Sequence, residues 1–366
     1  MLVFSALVPL VLGLLLIPVP AAAQATDRVA VMPIVFQGVA EPTTSIAAIR
    51  DQAFGPVDSL KAFWEEVSYG KIVMTGDVYG YLHLPIAAPT SCSPASDGSW
   101  LSLAEAAAAA LGYRPANYNR RIYVFMGVVC GSSHAAPNYG VLMAGFGGGT
   151  TWHEFGHMIG LSHPVLATCT VNGQPSTFGV DLTPANAGTP GKCSATEYGD
   201  PFSVMGLRLP GHVSSAAKDS LGWFKPGMLQ SVSQSGDYQI APLADRKSAL
   251  PRALVVLPTP LTTPVNGYYV EYRRPIGYDR AAPGVLVYTR GEELPYLGSA
   301  PAIYDGDLSD TSVYGLAFPV GVTVRHPTLG FSITVLSMTE ARATIRVTVG
   351  ADPSAAAPRP PGTGRP

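Results

Sequence analysis

The chain has 366 residues, which is long enough for two domains. Charged residues make up 13% of the sequence and the formal net charge is −2, so neither a basic surface nor a charge run indicates nucleic acid as a partner. The 39 Gly and 34 Pro residues favour a loop-rich, partly β architecture over a helical bundle.

Residues 1–25 have the pattern of a secretory signal peptide. They contain no charged side chain, and an apolar core at 7–17 is followed by Pro18, Pro20 and a small-residue cleavage site at 23–25. The alternative is an uncleaved membrane anchor, because the stretch is nearly long enough to span a bilayer. The prolines and small residues favour cleavage. We therefore expect a secreted, extracellular protein that has no membrane contact after signal cleavage.

The next part of the chain alternates strands and helices. Apolar residues at helical spacing, interrupted at Gly55, predict a broken helix, and a five-alanine run after Glu105 predicts a second one. The predicted elements are a buried strand at 28–36, helix at 44–67, strand and turn at 72–84, helix at 101–111 and a buried central strand at 121–129.

Four cysteines, an even number, agree with export to an oxidising compartment. Three pairings are possible. We favour Cys92–Cys130 with Cys169–Cys193, because each pair flanks a Gly/Ser/Pro-rich loop on one side of the histidine motif described next. A zinc–cysteine site is the other interpretation, but the sequence contains no close Cys-x-x-Cys spacing.

The histidine motif lies at 151–163. His153 and His157 are four residues apart, so in a helix both imidazoles project from one face and can bind one metal ion. Gly160 can reach φ > 0 and turn the chain sharply, which would return His163 as a third ligand. Three imidazoles leave one coordination position open, which is typical of a catalytic zinc site.

Glu154 directly follows the first histidine ligand and is the candidate general base, able to take a proton from an attacking water. A chance match to the whole motif has a probability on the order of 10⁻⁵. The alternative is an amphipathic core helix with structural histidines. His134 and His212 have no partner at metal spacing, so we interpret His134 as a loop residue and His212 as a surface or capping residue.

Beyond the motif, the sequence predicts a loop from His163 to the segment at 203–206, and then a third helix at 214–224. Pro226 and Gly227 form a helix breaker, which places the boundary between an N-terminal domain (26–226) and a C-terminal domain (227–350).

Short alternating segments in the C-terminal domain predict an antiparallel, sandwich-like all-β fold. Asp305, Asp307 and Asp310 could hold Ca²⁺ through carboxylate oxygens, and a solvated polar loop is the other interpretation. The tail at 351–366 is rich in Pro, Ala and Gly and is predicted to be disordered.

The motif from His153 to His163 resembles the zinc signature of the metzincin clan of metallopeptidases. Met205, within Ser-Val-Met-Gly at 203–206, fits the methionine-containing turn that this clan places beneath the metal. The residues of both motifs are most similar to those of the gametolysin family, with a looser similarity to immune-inhibitor-type peptidases. The similarity runs from about residue 28 to about residue 350.

Met205 itself has two interpretations, a core residue or a packing floor beneath the imidazoles. Many astacin-like relatives carry a tyrosine just past this methionine as an additional metal ligand. Gly206 and Leu207 stand there in this chain, so that ligand is missing from that position.

The resemblance implies an α+β metzincin-like catalytic domain, with a mixed twisted sheet and three main helices. It implies one catalytic Zn²⁺ held by His153, His157 and His163, with Glu154 as the catalytic residue. In this clan the place of residues 140–146 is taken by an edge strand that pairs with an extended peptide; an ordinary sheet strand is the other interpretation.

The function we predict is that of a secreted zinc-dependent metalloendopeptidase, a monomer that hydrolyses extracellular proteins through a metal-activated water. One alternative is an amidase or deacetylase that uses the same metal. Another is a catalytically inert or non-peptidase secreted zinc protein, whose β domain binds extracellular or wall material.

Overall fold

The structure is a computed structural model that describes residues 26–93, 95, 97–143, 145–179, 193–206, 211–257, 267–281, 283–289, 300–312 and 314–350. The predicted signal peptide (1–25) and disordered tail (351–366) lie outside these residues. Strands predominate over helices, so the predicted α+β class is confirmed at this level. In the described part of the chain, none of the helices has the length and apolar character needed to cross a membrane.

Six strands form the first sheet. They are β1 (Thr26–Gln37), β2 (Val73–Val78), β3 (Leu82–Ala87), β4 (Arg120–Phe125), β5 (His134–Ala136) and β6 (Tyr139–Leu142). Their order is β2-β1-β4-β6-β5, and β3 pairs with β1 beyond the end of β2. Every pair is parallel except β5 with β6.

The edge of this sheet differs from the prediction. Residues 140–146 were the candidate edge strand, but β6 is paired on both sides, with β4 and with β5. The outer, antiparallel strand is β5, and no further strand pairs with it in the described residues. His134, predicted to be in a loop, begins this strand.

Five α-helices are described. They are α1 (Ile46–Phe54), α2 (Leu60–Val67), α3 (Gly98–Ala110), α4 (Gly148–Met158) and α5 (Ser215–Ser220). Gly55 separates α1 from α2, as predicted, and Ser59 caps α2 by accepting the N–H of Ala62. α3 begins before the predicted start at 101. α5 is shorter than the predicted helix at 214–224, because Gly222 turns the chain at φ +65°.

The helices cover both faces of the first sheet. α1, α2 and α4 share one apolar core, α3 packs in another, and the side chains of β1 alternate between these two cores. On the first face, Phe63 of α2 stacks on Trp152 of α4 with ring centroids 4.4 Å apart. On the second face, Trp100 of α3 packs edge-on against Phe125 of β4. This packing fixes α4, which carries the motif, against α2.

Two further sheets follow. The larger contains β7 (Val165–Val171), β8 (Gln174–Ser176), β9 (Cys193–Glu197), β10 (Leu229–Val232), β12 (Ala253–Val256), β13 (Tyr268–Arg273), β14 (Gly284–Thr289) and β15 (Ala302–Tyr304). The smaller contains β11 (Gly236–Ile240), β16 (Thr323–Arg325), β17 (Phe331–Met338) and β18 (Ala343–Val349), all antiparallel. One apolar core joins these two sheets.

The segment between His163 and Met205 is not the loop that was predicted. Its described residues include three strands, β7, β8 and β9, and β7 pairs in parallel with β15, with Val165 opposite Ala302. The buried side chains of β7 alternate along the strand and enter the core of the two β sheets. One sheet therefore receives strands from both sides of the predicted boundary at 226, which itself stays a prediction.

Both predicted disulfides are present. Cys92 is bonded to Cys130, and Cys169 is bonded to Cys193. Cys169 and Cys193 also stand opposite each other in the β7–β9 register. This second bond therefore fastens β9 to the strand that follows the histidine motif.

Candidate metal centre

The three motif histidines converge on one point. Their Nε2 atoms are separated by 3.1 Å (His153 to His157), 3.2 Å (His153 to His163) and 2.9 Å (His157 to His163). Nitrogens bound to one tetrahedral zinc at about 2.0–2.1 Å would be roughly 3.3 Å apart, so this spacing fits a single ion. Within the described residues this is the one group of His, Cys, Asp or Glu side chains spaced to hold a metal.

The turn after α4 brings the third histidine into this group. The N–H of Gly160 donates to His157 O, and the N–H of Leu161 donates to Gly156 O. Gly160 has φ +94°, in the region where a side chain would be strained. The helix thus ends at Met158, and the chain doubles back to place His163 beside the two helical imidazoles.

Each imidazole is oriented through its other ring nitrogen. The bonds are His153 Nδ1 to Val204 O at 2.9 Å, His157 Nδ1 to Leu161 O at 2.8 Å and His163 Nδ1 to Glu197 Oε1 at 2.7 Å. Because all three partners can only accept, the proton lies on Nδ1, and the lone pair of Nε2 faces the other rings. This arrangement is the one that metal-binding histidines require.

Burial favours the neutral forms of two motif histidines and of the Glu154 carboxyl. It lowers the pKa of His153 to about 4 and also lowers that of His157, so both rings are neutral near pH 7. It raises the pKa of the Glu154 carboxyl to about 7, with the nearby His134 acting in the opposite direction. A carboxyl with a pKa near neutrality can both accept and return a proton.

Met205 lies against the middle of α4. It is buried, and the ideal position of a Cβ on Gly156 would be 2.3 Å from its sulfur. The turn that carries Met205 is closed by the N–H of Gly206, which donates to Ser203 O. The preceding residue, Val204, supplies the carbonyl that orients His153. The segment therefore packs against α4 at Gly156 and also orients the first of the three motif histidines.

Sequence reasoning missed two residues at the site, Glu197 and Tyr198. Glu197 accepts from His163 as described, and the ring centroid of Tyr198 lies 3.6 Å from that of His163. Glu197 ends β9 and Tyr198 follows it, just before the Met205 segment. Only their proximity to that segment in sequence could have drawn attention to them.

Two other histidines differ from their predicted settings. His134 lies in the edge strand β5 rather than in a loop, and its Nε2 is 2.7 Å from Asp97 Oδ2. His212 was expected to be a surface or capping residue, but it is fully buried, and Ser214 caps the helix that follows. The Nε2 of His212 donates to Glu66 Oε1, and Lys218 Nζ donates to its Nδ1. Burial lowers the pKa of His212 well below its usual value and lowers that of Lys218 to about 7.

The acidic loop at 305–310 uses its carboxylates locally. Asp305 and Asp307 each accept the backbone N–H two residues further on, and Asp310 accepts that of Ser312. These bonds form consecutive Asx turns. Calcium binding at this loop stays a prediction.

The sequence was also compared with known proteins. No model of a protein family matches it, and no curated protein does. The geometry of the site and the motifs in the sequence are therefore the observations that bear on function.

Proposed function

We propose that the protein is a secreted zinc-dependent metalloendopeptidase of metzincin type, acting on extracellular proteins. The observation that carries the proposal is the convergence of three Nε2 atoms from His153, His157 and His163, with Glu154 buried on the same helix. A structural zinc site has four protein ligands, whereas three imidazoles leave a position for water or substrate. The arrangement therefore favours catalysis over a purely structural role.

The donor set is compatible with zinc. Neutral imidazoles suit several transition metals, and the resemblance of the motif to metzincins selects zinc among them. When bound, zinc would act as a Lewis acid that polarises a carbonyl and lowers the pKa of water toward about 7. The three histidines would hold the ion through the nitrogens that already face one another.

The chain's own contribution to the chemistry comes from Glu154. Its carboxylate would take the proton of the attacking water and then deliver it to the leaving amine. Burial raises the pKa of this carboxyl above its usual value, which makes the carboxylate a stronger proton acceptor. Its burial also limits the access of bulk water to the proton during the transfer.

A peptide substrate is favoured by the position of β5. This antiparallel strand forms the outer edge of the first sheet, and α4 packs against it. An extended peptide could add to β5 as a further strand and would then lie beside the motif helix. This feature favours a peptidase over an amidase or deacetylase that acts on a small substrate.

The test compares wild type with Glu154→Gln, with Glu65→Gln as the matched control because Glu65 is exposed on α2. We expect casein cleavage by wild type and E65Q, its loss on chelation and its recovery with added zinc. E154Q should bind zinc as tightly as wild type and lose about 10²–10⁴-fold in turnover. Cleavage by E154Q at the wild-type rate would overturn the proposal, and a zinc-loaded wild type that cleaves no peptide would favour the inert alternative.

A further inference from the structure

The third ligand is held differently from the other two. His153 and His157 lie on α4 and donate to backbone carbonyls. His163 lies beyond the helix and donates to the side chain of Glu197, which is 57% exposed. A carboxylate in water keeps more rotamer freedom than a backbone carbonyl and can bond to water instead. The orientation of His163 therefore needs a second restraint.

Tyr198 provides a surface for this restraint. Its ring centroid is 3.6 Å from that of His163, with the two planes inclined by 30°. The same ring lies 6.1 Å from that of His153 and nearly parallel to it. Contact along one face of the imidazole opposes rotation of the ring out of the plane that directs Nε2 toward the other ligands.

The backbone of Tyr198 is in an unfavourable conformation for a tyrosine. Its φ is +60°, in the left-handed region that bulky residues seldom adopt. The surrounding chain imposes this conformation: Glu197 pairs with Val165, and a Cβ on Gly199 would be 2.5 Å from the backbone nitrogen of Leu166. The backbone alone would favour glycine at 198. A function for the ring would offset this local strain.

We infer that Glu197 and Tyr198 are positioning residues that together hold His163 in its metal-binding orientation. The inference rests on the proposed metal site and adds to it a pair of residues that we call the 197–198 clamp. Glu197 fixes the tautomer through Nδ1, and Tyr198 packs on the face of the ring. Loss of such partners typically weakens metal binding about 10–100-fold.

The test measures zinc affinity by competition with a chromophoric chelator, together with the melting temperature of the metal-free protein. Tyr198→Gly removes the ring and relieves the left-handed strain. We expect it to bind zinc at least about 10-fold more weakly while melting no lower than wild type. Tyr198→Phe keeps the ring and should retain wild-type affinity. Glu197→Gln removes the charge and should weaken binding about 10-fold.

The matched control is Asn172→Gly. Asn172 has φ +52° in the exposed turn between β7 and β8, so this variant relieves the same kind of strain without touching a ligand. Its zinc affinity should equal that of wild type. Wild-type affinity in Y198G would overturn the clamp. So would an equal loss in Y198F and Y198G, because the effect would then come from the hydroxyl rather than the ring.

Peptidase activity separates this inference from the proposed function. If wild type binds zinc but cleaves no peptide, the proposed function fails, and the affinities still decide the clamp. If wild type binds no zinc, both fail. In an active enzyme, saturating zinc should restore most of the kcat of Y198G, since a positioning residue acts through occupancy of the site. A kcat that stays low at saturation would contradict that role.

Discussion

Gly156 packs so closely against Met205 that position 156 has no room for a side chain. A Cβ on Gly156 would lie 2.3 Å from Met205 Sδ and 3.3 Å from Trp64 Cζ2. Glycine in the middle of a helix costs about 1 kcal/mol relative to alanine. Its presence in α4 is explained by the close approach of the methionine turn, which supplies the carbonyl that orients His153.

Gly156→Ala should therefore destabilise the protein despite its better helix propensity. We expect a loss of about 1–3 kcal/mol in the free energy of unfolding, measured with urea on metal-free protein. The double variant with Met205→Ala should show a favourable coupling, because the shorter side chain leaves room for the methyl group. Gly98→Ala in α3, where a Cβ would meet nothing within 4 Å, is the control and should be neutral. Equal stability of G156A and G98A would contradict the packing argument.

Arg273 should be among the most sensitive buried positions. Its guanidinium donates to Glu271 Oε1 at 2.6 Å and to Asp279 Oδ1 at 2.8 Å, and it also donates to His212 O. Removing it leaves two buried carboxylates without their main partner. Arg273→Leu should thus cost about 3–5 kcal/mol in urea unfolding.

The control for this change is the exposed pair between Arg346 and Asp237, joined at 2.7 Å. Arg346→Leu should change the unfolding midpoint little, because water screens such pairs. Similar destabilisation by R273L and R346L would show that burial of the Arg273 cluster does not increase its contribution to the free energy of unfolding.

His326 should make the protein sensitive to acid. Its Nδ1 accepts the N–H of Leu329 at 3.0 Å, so Nε2 carries the proton and faces the hydroxyl of Tyr268. Burial lowers the pKa of His326 from its usual 6.5 to about 3. A depressed pKa contributes stability that is full above pH 6.5 and is lost as the pH falls toward 3.

Urea unfolding of metal-free protein between pH 7.5 and pH 4 would measure this loss. We expect the urea concentration at the unfolding midpoint of wild type to decrease as the pH is lowered below about 6.5. The midpoint of His326→Gln should decrease less steeply over the same range. His83→Gln, at an exposed position on β3, is the control and should keep the wild-type slope. Identical slopes for H326Q and wild type would rule out His326 as the source.

The two disulfides should differ in their effect on the site. Each disulfide closes a loop in the unfolded chain. Removing either one is expected to lower the free energy of unfolding by about 3–5 kcal/mol on entropic grounds. Cys169–Cys193 also fastens β9, the strand that ends in Glu197, to β7. Replacing this pair by serine should weaken zinc binding, whereas replacing Cys92 and Cys130 should lower stability alone. Equal zinc affinities in the two double-serine variants would contradict this difference.

Local patterns in the sequence predicted the parts of the structure that local geometry determines. The spacing of His153 and His157 follows from the helical repeat, and Gly160 indicated the turn to His163. The interruption at Gly55 was also visible. Each of these features depends on residues within one or two turns of the chain, so no tertiary information was needed to predict it.

Pairing between distant strands was beyond such patterns. Residues 165–171 pair with β15, far along the chain, and with β9, although the sequence around them is rich in turn residues. The contact of Tyr198 with His163 depends in turn on the register of β9 against β7. The edge position of β5 could not be predicted either, because it depends on the order in which the strands pair across the sheet.

The parallel pairing of Val165 with Ala302 has a consequence for any attempt to shorten the protein. A fragment ending near residue 226 would strip β15 from β7 and leave exposed the row of backbone groups that now meet it. β9 would lose its support together with β7. The part of the chain after residue 226 thus supports the strands that hold the histidine site. We expect the part before it to aggregate when it is expressed by itself.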